Sequence, residues 1–192
     1  MIAGGKDSFM ANRSYLLAVE DRSVTLPEDP GREVIAEGID EIPVFWASLF
    51  GPEDRQLDSY EGEGDDIQVP NYCVALPAAR QRLVALRGPI GQLLDERSRV
   101  IWAQWVDHLM GVRAAYLKTS AAEVWDLDPD GYDAYWITLL RPFAEPDATH
   151  LGAAVEANGL SFEDGAVIWE DDEETICKLA GAAHIGEVPW SD

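Results

Sequence analysis

The segment Asp126-Leu127-Asp128-Pro129-Asp130-Gly131 is the part of the sequence whose spacing comes closest to a metal-binding motif. Alternate acidic residues followed by glycine match the first half of a calcium loop, in which alternate oxygens surround a hard cation. The second half does not match, because Ile137 stands where a bidentate glutamate is needed. A helix N-terminus capped by Asp130 explains the same pattern, since a carboxylate accepts hydrogen bonds from the free amides of a first turn. We favour the cap over calcium, and no metal ligand is assigned.

The other residue types that often carry chemistry are widely spaced. His108, His150 and His184 form no paired-ligand pattern, and the sequence contains no nucleophile elbow and no phosphate-binding or dinucleotide-binding glycine motif. Cys73 and Cys177 are the only cysteines, and we expect two reduced, buried thiols, because no secretory signal precedes them. The sequence therefore assigns no catalytic residue and no cofactor.

Charge is the most unusual property of the chain. Its 36 acidic and 14 basic residues give a formal net charge of −22, which argues against nucleic acid and anionic membranes as partners. Residues 1–70 contain 16 acidic and 5 basic residues, residues 71–118 contain 3 and 7, and residues 119–192 contain 17 and 2. A basic centre thus lies between two acidic flanks. In one interpretation, the arginines of this centre pair with carboxylates of the flanks inside the fold. In the other, the acidic flanks form a surface that attracts a basic partner.

The acidic run is the predicted contact region for such a partner. It consists of Glu170, Asp171, Asp172, Glu173 and Glu174, and the acidic segment Asp58–Asp66, interpreted as a flexible surface loop, is the second choice. A solvated face that binds nothing is the competing interpretation, because most charge runs have no other role.

The hydrophobic patterns predict a single α+β domain over residues 10–192, with a small sheet packed against a long central helix or helical hairpin. The chain is 192 residues long and 47% hydrophobic, so it can bury a substantial core, which we expect to contain most of the seven tryptophans. Residues 1–9 are predicted to be a flexible extension. Strands are expected at Ser14–Val19, Tyr72–Ala75, Ala114–Thr119, Glu123–Leu127 and Ala166–Trp169. Helices are expected at Val44–Phe50, Pro77–Leu86, Ile90–Met110, Tyr132–Leu140 and Ala148–Asn158, a loop at Glu20–Gly38, and either helix or strand at Thr175–Ala183.

The phrase Met10-Ala11-Asn12-Arg13-Ser14-Tyr15-Leu16 resembles the opening of a family of bacterial proteins of unknown function. Glu41-Ile42-Pro43-Val44-Phe45-Trp46 and Leu49-Phe50 are also similar to that family. The resemblance implies a cytoplasmic bacterial protein that starts at Met10, and it brings no catalytic residue.

These observations lead to two functional hypotheses. The first is a non-enzymatic, acidic, cytoplasmic interaction protein that masks a basic protein, as an immunity-type inhibitor does; the oligomeric state is left open. The alternative is a small enzyme with a cleft built from scattered residues, which a pocket holding a titratable group of shifted pKa would favour.

Overall fold

The computed structural model describes residues 12–23, 33–60, 66–182 and Trp190. Residues 1–9, predicted to be a flexible extension, lie outside the described residues. Within the described ranges the strands are β1 Arg13–Val19, β2 Glu33–Ile39, β3 Arg55–Tyr60, β4 Ile67–Ala75, β5 Tyr116–Ser120, β6 Phe162–Glu163 and β7 Ala166–Val167. The α-helices are α1 Leu76–Leu93, α2 Glu96–Gly111, α3 Ala122–Leu127, α4 Tyr132–Ala144, α5 Ala148–Ala157 and α6 Asp172–Ala180, with 3₁₀-helices at Val44–Leu49 and Pro52–Asp54.

Five strands form one antiparallel sheet in the order β2-β1-β5-β4-β3, and β6 and β7 form a separate small ribbon. Strand β5 lies in the middle, where Leu16 of β1 faces Thr119 and Val74 of β4 faces Leu117. Successive side chains of a strand point to opposite faces, so this register puts Leu16, Val74 and Leu117 on one face and Lys118 on the other, beside Leu17 and Cys73.

The main core covers the apolar face of the sheet. The 3₁₀-helix Val44–Leu49 is buried at every residue, and it packs against helices α1, α4 and α6. Trp46, Trp102, Trp105 and Trp136 are buried there, which confirms that tryptophans fill the core. The α+β class in a single domain is confirmed as well.

The helical hairpin, one of the two predicted alternatives, is present, but its turn lies at Asp95 and not at residues 87–89 between the two predicted helices. The predicted single helix Ile90–Met110 is therefore wrong. Helix α1 continues through Pro89 to Leu93, and the chain then turns at Asp95, whose carboxylate accepts hydrogen bonds from the backbone N–H groups of Arg97 and Ser98. This cap starts α2 as a separate helix, as N-terminal carboxylates commonly do.

Two further segments have a different structure from the one predicted. The segment Glu20–Gly38, predicted to be a loop, contains the edge strand β2, which pairs with β1 along its length. The segment Glu123–Leu127, predicted to be a strand, is the short helix α3, because it packs across β1 and β4 instead of joining the sheet. Five residues are too few for their periodicity to separate the two structures.

The prediction of a flexible loop over Asp58–Asp66 is also wrong for the first residues of this segment. Asp58 belongs to β3 and is buried, while residues 61–65 lie outside the described residues. Helix α4 extends past its predicted end at Leu140 and includes Pro142. The segment Thr175–Ala183, predicted to be either helix or strand, is helical through Ala180 as part of α6. No helix in the described part of the chain has the length and apolar character needed to cross a membrane.

Candidate functional site

A cleft of about 450 Å³ opens between the end of β2 and helix α6, and we call it the α6 cleft. This size lies within the usual range for small-ligand sites. Both elements contribute acidic and apolar side chains. Its described lining consists of Ile39, Asp40, Glu41, Glu173, Glu174, Ile176, Cys177, Lys178, Gly181 and Ala182.

The end of β2 is held by side chains on either side of Glu41. Before it, Asp40 has a left-handed backbone (φ 60°), and its Oδ1 accepts a hydrogen bond of 2.9 Å from the backbone N–H of Asn12. After it, the backbone N–H of Ile42 donates to the Tyr135 hydroxyl at 2.9 Å, and Asn158 Nδ2 donates to the Ile42 carbonyl at 2.7 Å. Glu41 is therefore placed at the cleft by two fixed neighbours.

Helix α6 is anchored at both of its ends. Asp171 caps the N-terminus by accepting a 2.9 Å hydrogen bond from the backbone N–H of Glu174. At the C-terminus the chain turns at Gly181 (φ 89°), where a Cβ would lie 2.9 Å from the carbonyl oxygen of Glu37. Ala182 then exchanges two backbone hydrogen bonds with Glu37, at 2.7 and 2.8 Å. These bonds join the end of α6 to β2, so both walls of the cleft belong to one hydrogen-bonded unit.

The carboxyl group of Glu41 is the most perturbed acid of the cleft. Burial raises its pKa to about 8, and the charges of Glu174 and Asp40 act in the same direction. The ammonium of Lys178 opposes this shift without cancelling it. Glu41 also lines a smaller neighbouring cavity of about 250 Å³ with Tyr132 and Tyr135. A carboxyl group of this kind is mostly protonated at pH 7 and becomes half-ionised near pH 8, so it can exchange a proton in this range.

Cys177 and Lys178 are in states that do not favour nucleophilic attack. Burial raises the pKa of the Cys177 thiol to about 11, with a further contribution from the charge of Glu41, so it remains a thiol at neutral pH. Burial lowers the pKa of Lys178, but its hydrogen bond to Glu174 and the charge of Glu41 outweigh this, and the net shift is upward. Lys178 is thus a charged partner of Glu174, 2.8 Å away.

The acidic run predicted as a contact region starts α6. Glu170 is exposed, Asp171 is the helix cap, and Asp172 pairs with Arg97, which also lies over the ring of Trp169. The two last members of the run, Glu173 and Glu174, line the α6 cleft. The run therefore divides into residues that stabilise the helix and residues that face a cavity, and whether it binds a partner stays a prediction.

Five of the six arginines of the basic centre make contacts within the fold, and two of these five pair with carboxylates of the acidic flanks. Arg82 pairs with Glu53 and Asp54, and Arg97 pairs with Asp172. The remaining three make local contacts: Arg87 pairs with Asp107, Arg80 donates to carbonyls at the end of α2, and Arg99 donates to carbonyls at the end of α1.

The calcium-like segment forms the connection between α3 and α4. Asp128 accepts a 3.1 Å hydrogen bond from the backbone N–H of Gly131, and Gly131 is the residue at the helix N-cap. The predicted cap at Asp130 is therefore wrong: Gly131 is the N-cap residue, and no side chain of the described residues caps the first turn of α4. Among the described residues, no group of three histidine, cysteine or acidic side chains is arranged to hold a metal ion.

A buried polar network lies on the face of the sheet opposite the main core. Lys118 Nζ is 2.9 Å from Asp58 Oδ1, and Asn71 Nδ2 donates to Asp58 Oδ2 at 2.8 Å. Tyr60 and Ser120 continue the network through hydroxyl groups 2.8 Å apart. Because Lys118 and Asp58 are buried, this network is a structural feature of the sheet and lies outside the α6 cleft.

Sequence reasoning did not single out Glu41, Cys177 or Lys178. Glu41 is one carboxylate among 36 acidic residues, and its burial depends on contacts with α6, which is distant in sequence. The sequence signal that pointed to this region was the acidic run, through Glu173 and Glu174.

Comparisons with protein-family models, with curated proteins and with solved structures found no significant match to this chain.

Proposed function

We propose that the protein binds a basic protein partner, and that a lysine or arginine side chain of that partner enters the α6 cleft. The observation that carries the proposal is the charge of the cleft. The carboxylates of Asp40, Glu173 and Glu174, with the mostly protonated carboxyl of Glu41, surround one ammonium, that of Lys178. A second cation is the ligand that balances this arrangement.

The shape of the cleft supports a side chain with an apolar stem. Ile39, Ile176 and Ala182 provide apolar surface between the acidic groups. Lysine and arginine bury their methylene stems on such surface while their charged ends stay near carboxylates. Glu173 and Glu174, at the exposed start of α6, would meet the partner first and steer its approach.

The first experiment measures the binding of a fluorescein-labelled peptide of alternating lysine and leucine by anisotropy, beside the same peptide with every lysine acetylated. We expect the charged peptide to bind and its affinity to fall about tenfold between low and high salt, because exposed charges are screened. The acetylated peptide is expected not to bind. Equal binding of the two peptides would overturn the proposal.

Matched variants separate the cleft from the general charge of the molecule. E173Q/E174Q should weaken binding of the charged peptide at least about fivefold, since it removes two carboxylates of the site. D126N/D130N changes the net charge equally, at exposed residues outside the cleft, and should change affinity less than about twofold. If the two double variants weaken binding equally, the peptide is attracted by the net charge of the whole molecule, and the proposed site is contradicted.

The pH dependence of peptide affinity provides an independent test, because Glu41 changes its protonation near pH 8. A cation in the cleft stabilises the ionised carboxylate, so binding is coupled to loss of a proton and affinity should rise between about pH 6 and pH 8.5. In E41Q this rise should disappear. If the rise in affinity with pH persists in E41Q, a titrating group other than Glu41 causes it.

The raised pKa of Glu41 favours one second candidate, an enzyme in which this carboxylate removes a proton from a substrate. A nitrobenzisoxazole tests this chemistry, because removal of its ring C–H proton breaks the N–O bond and releases a coloured cyanophenolate. Turnover by the wild type and by E173Q, with loss in E41Q, would support the enzyme. The same slow rate in all three proteins would eliminate this proton-transfer role.

A further inference from the structure

A second, larger cleft lies between helices α1 and α4 and has a volume of about 700 Å³. Its surface is predominantly apolar: Leu86 comes from α1, Leu140 and Phe143 come from α4, and Phe50 and Tyr72 form the base. Ile137 stands in the lining with 64% of its surface exposed. An apolar cavity of this size is a feature of ligand sites.

The base of this cleft is made rigid by aromatic packing. The ring centroids of Tyr72 and Trp136 are 4.2 Å apart, and those of Phe50 and Tyr72 are 5.8 Å apart. Trp136 is fully buried, so these rings form a preformed apolar floor.

Three guanidinium groups line the cleft, in contrast to the acidic lining of the α6 cleft. Arg55 is fixed by Asp133, whose carboxylate oxygens are 2.9 and 3.0 Å from Nη2. Arg82 is fixed by Asp54 and by the carbonyl of Leu49 at 2.9 Å. Arg141 is exposed, and no carboxylate of the described residues pairs with it. The cleft thus offers an apolar floor and one uncommitted cation.

We propose that this cleft, which we call the arginine cleft, binds a small organic anion with an aromatic or aliphatic body. The body would lie on Phe50, Tyr72 and Leu140, and the anionic group would pair with Arg141. A guanidinium matches the two oxygens of a carboxylate or sulfonate, and it retains its charge when partly desolvated. Since the molecule as a whole carries −22, this local cation is needed to select an anion.

Two fluorescent probes of nearly equal shape test the proposal with the full-length protein. Anilinonaphthalene sulfonate carries the anion, and N-phenylnaphthylamine is its neutral counterpart. We expect wild-type protein to bind the sulfonate, and octanoate to displace it. R141Q should weaken sulfonate binding about five- to tenfold while affinity for the neutral probe stays within about twofold, because only the charged contact is lost.

Control variants locate the probe. R113Q removes another exposed arginine, which lies outside the cleft, and should leave sulfonate binding unchanged. I137D adds a carboxylate in the lining and should weaken sulfonate binding more than R141Q does, while E173Q/E174Q should leave it unchanged because that pair lies in the α6 cleft. These substitutions affect exposed side chains, and unchanged far-ultraviolet circular dichroism confirms folding. Wild-type sulfonate binding that R141Q does not weaken, or that R113Q weakens equally, would overturn the proposal, as would wild-type protein that binds no sulfonate.

Discussion

At the scale of single residues, Glu41 is the carboxylate whose surroundings oppose its charge most strongly. Its pKa is raised to about 8 from an ordinary value of 4.5, mainly by burial. Between these two values the folded chain holds a proton that the unfolded chain has released. The free energy of unfolding must then fall as the pH rises through this window, because each increment of pH favours the state with fewer protons.

We predict that E41Q removes this decline. Wild-type stability should fall between about pH 5 and pH 8, and E41Q should be the more stable protein above that range, by a difference on the order of 1 to 3 kcal/mol after allowance for partial exposure. Urea unfolding at several pH values measures the effect. E173Q, at an exposed residue of the same cleft, is the control and should follow the wild type. Parallel curves for E41Q and the wild type would contradict the prediction.

The pair formed by Lys118 and Asp58 gives a second prediction at this scale. K118M should lower the free energy of unfolding by about 3 to 5 kcal/mol, because it leaves the buried carboxylate without its cation. K118M/D58L should recover part of this loss. R87M breaks the exposed pair with Asp107 and should cost less than about 1 kcal/mol. Urea unfolding of all four proteins completes the comparison, and a double variant less stable than K118M would refute the argument.

At the scale of elements, the start of α6 shows how one acidic run serves different purposes. Its carboxylates lie where the helix dipole favours negative charge, and Asp171 also satisfies a free backbone amide. Glu173 and Glu174 extend the same run into the α6 cleft. Stability and binding should therefore respond to different members of the run.

We predict that D171A lowers the free energy of unfolding by about 1 kcal/mol through loss of the cap. E170A, one residue earlier and without a hydrogen bond to the helix, should change it by less than about 0.5 kcal/mol. Thermal and urea unfolding of the two variants measure the difference. Equal losses would indicate that charge at this end of the helix matters and that the cap does not.

Pro89 and Pro142 lie inside helices instead of ending them, so a proline alone did not mark a helix end. The predicted elements succeeded at α5 and at the start of α4. They failed where tertiary contacts decide the structure. Strand β2 lies in a segment whose glycines and prolines favour a loop, and it is held in place by pairing with β1. The α6 cleft could not be predicted either, because Glu41 and Cys177 meet only through the bonds that join α6 to β2.

At the scale of the whole molecule, internal pairing uses little of the negative charge. Of the seven basic residues in the centre, Arg82, Arg97 and Lys118 pair with acidic residues of the flanks within the described chain. Most carboxylates therefore repel one another, and this repulsion opposes the folded state.

We predict that the melting temperature rises by at least about 3 °C between low salt and roughly 0.5 M sodium chloride, because salt screens this repulsion. Scanning calorimetry measures the change. The variant D126N/D130N/E163Q, which neutralises three exposed acids, should melt at a higher temperature in low salt and gain less from added salt. A melting temperature that falls with salt would mean that ion pairs dominate over repulsion.

The central place of β5 has a consequence for the order in which the sheet forms during synthesis. The antiparallel pairs β1–β2 and β3–β4 leave the ribosome first, but β5 separates them in the sheet, so neither pair can join the other until Ser120 has emerged. Nascent chains arrested before Tyr116 should be cut rapidly by protease, and chains extended past α6 should resist it. Until β5 emerges, β1 and β4 each have an unpaired strand edge, and such edges promote aggregation. The repulsion between the acidic residues should therefore protect the chain from aggregation most during the middle of translation.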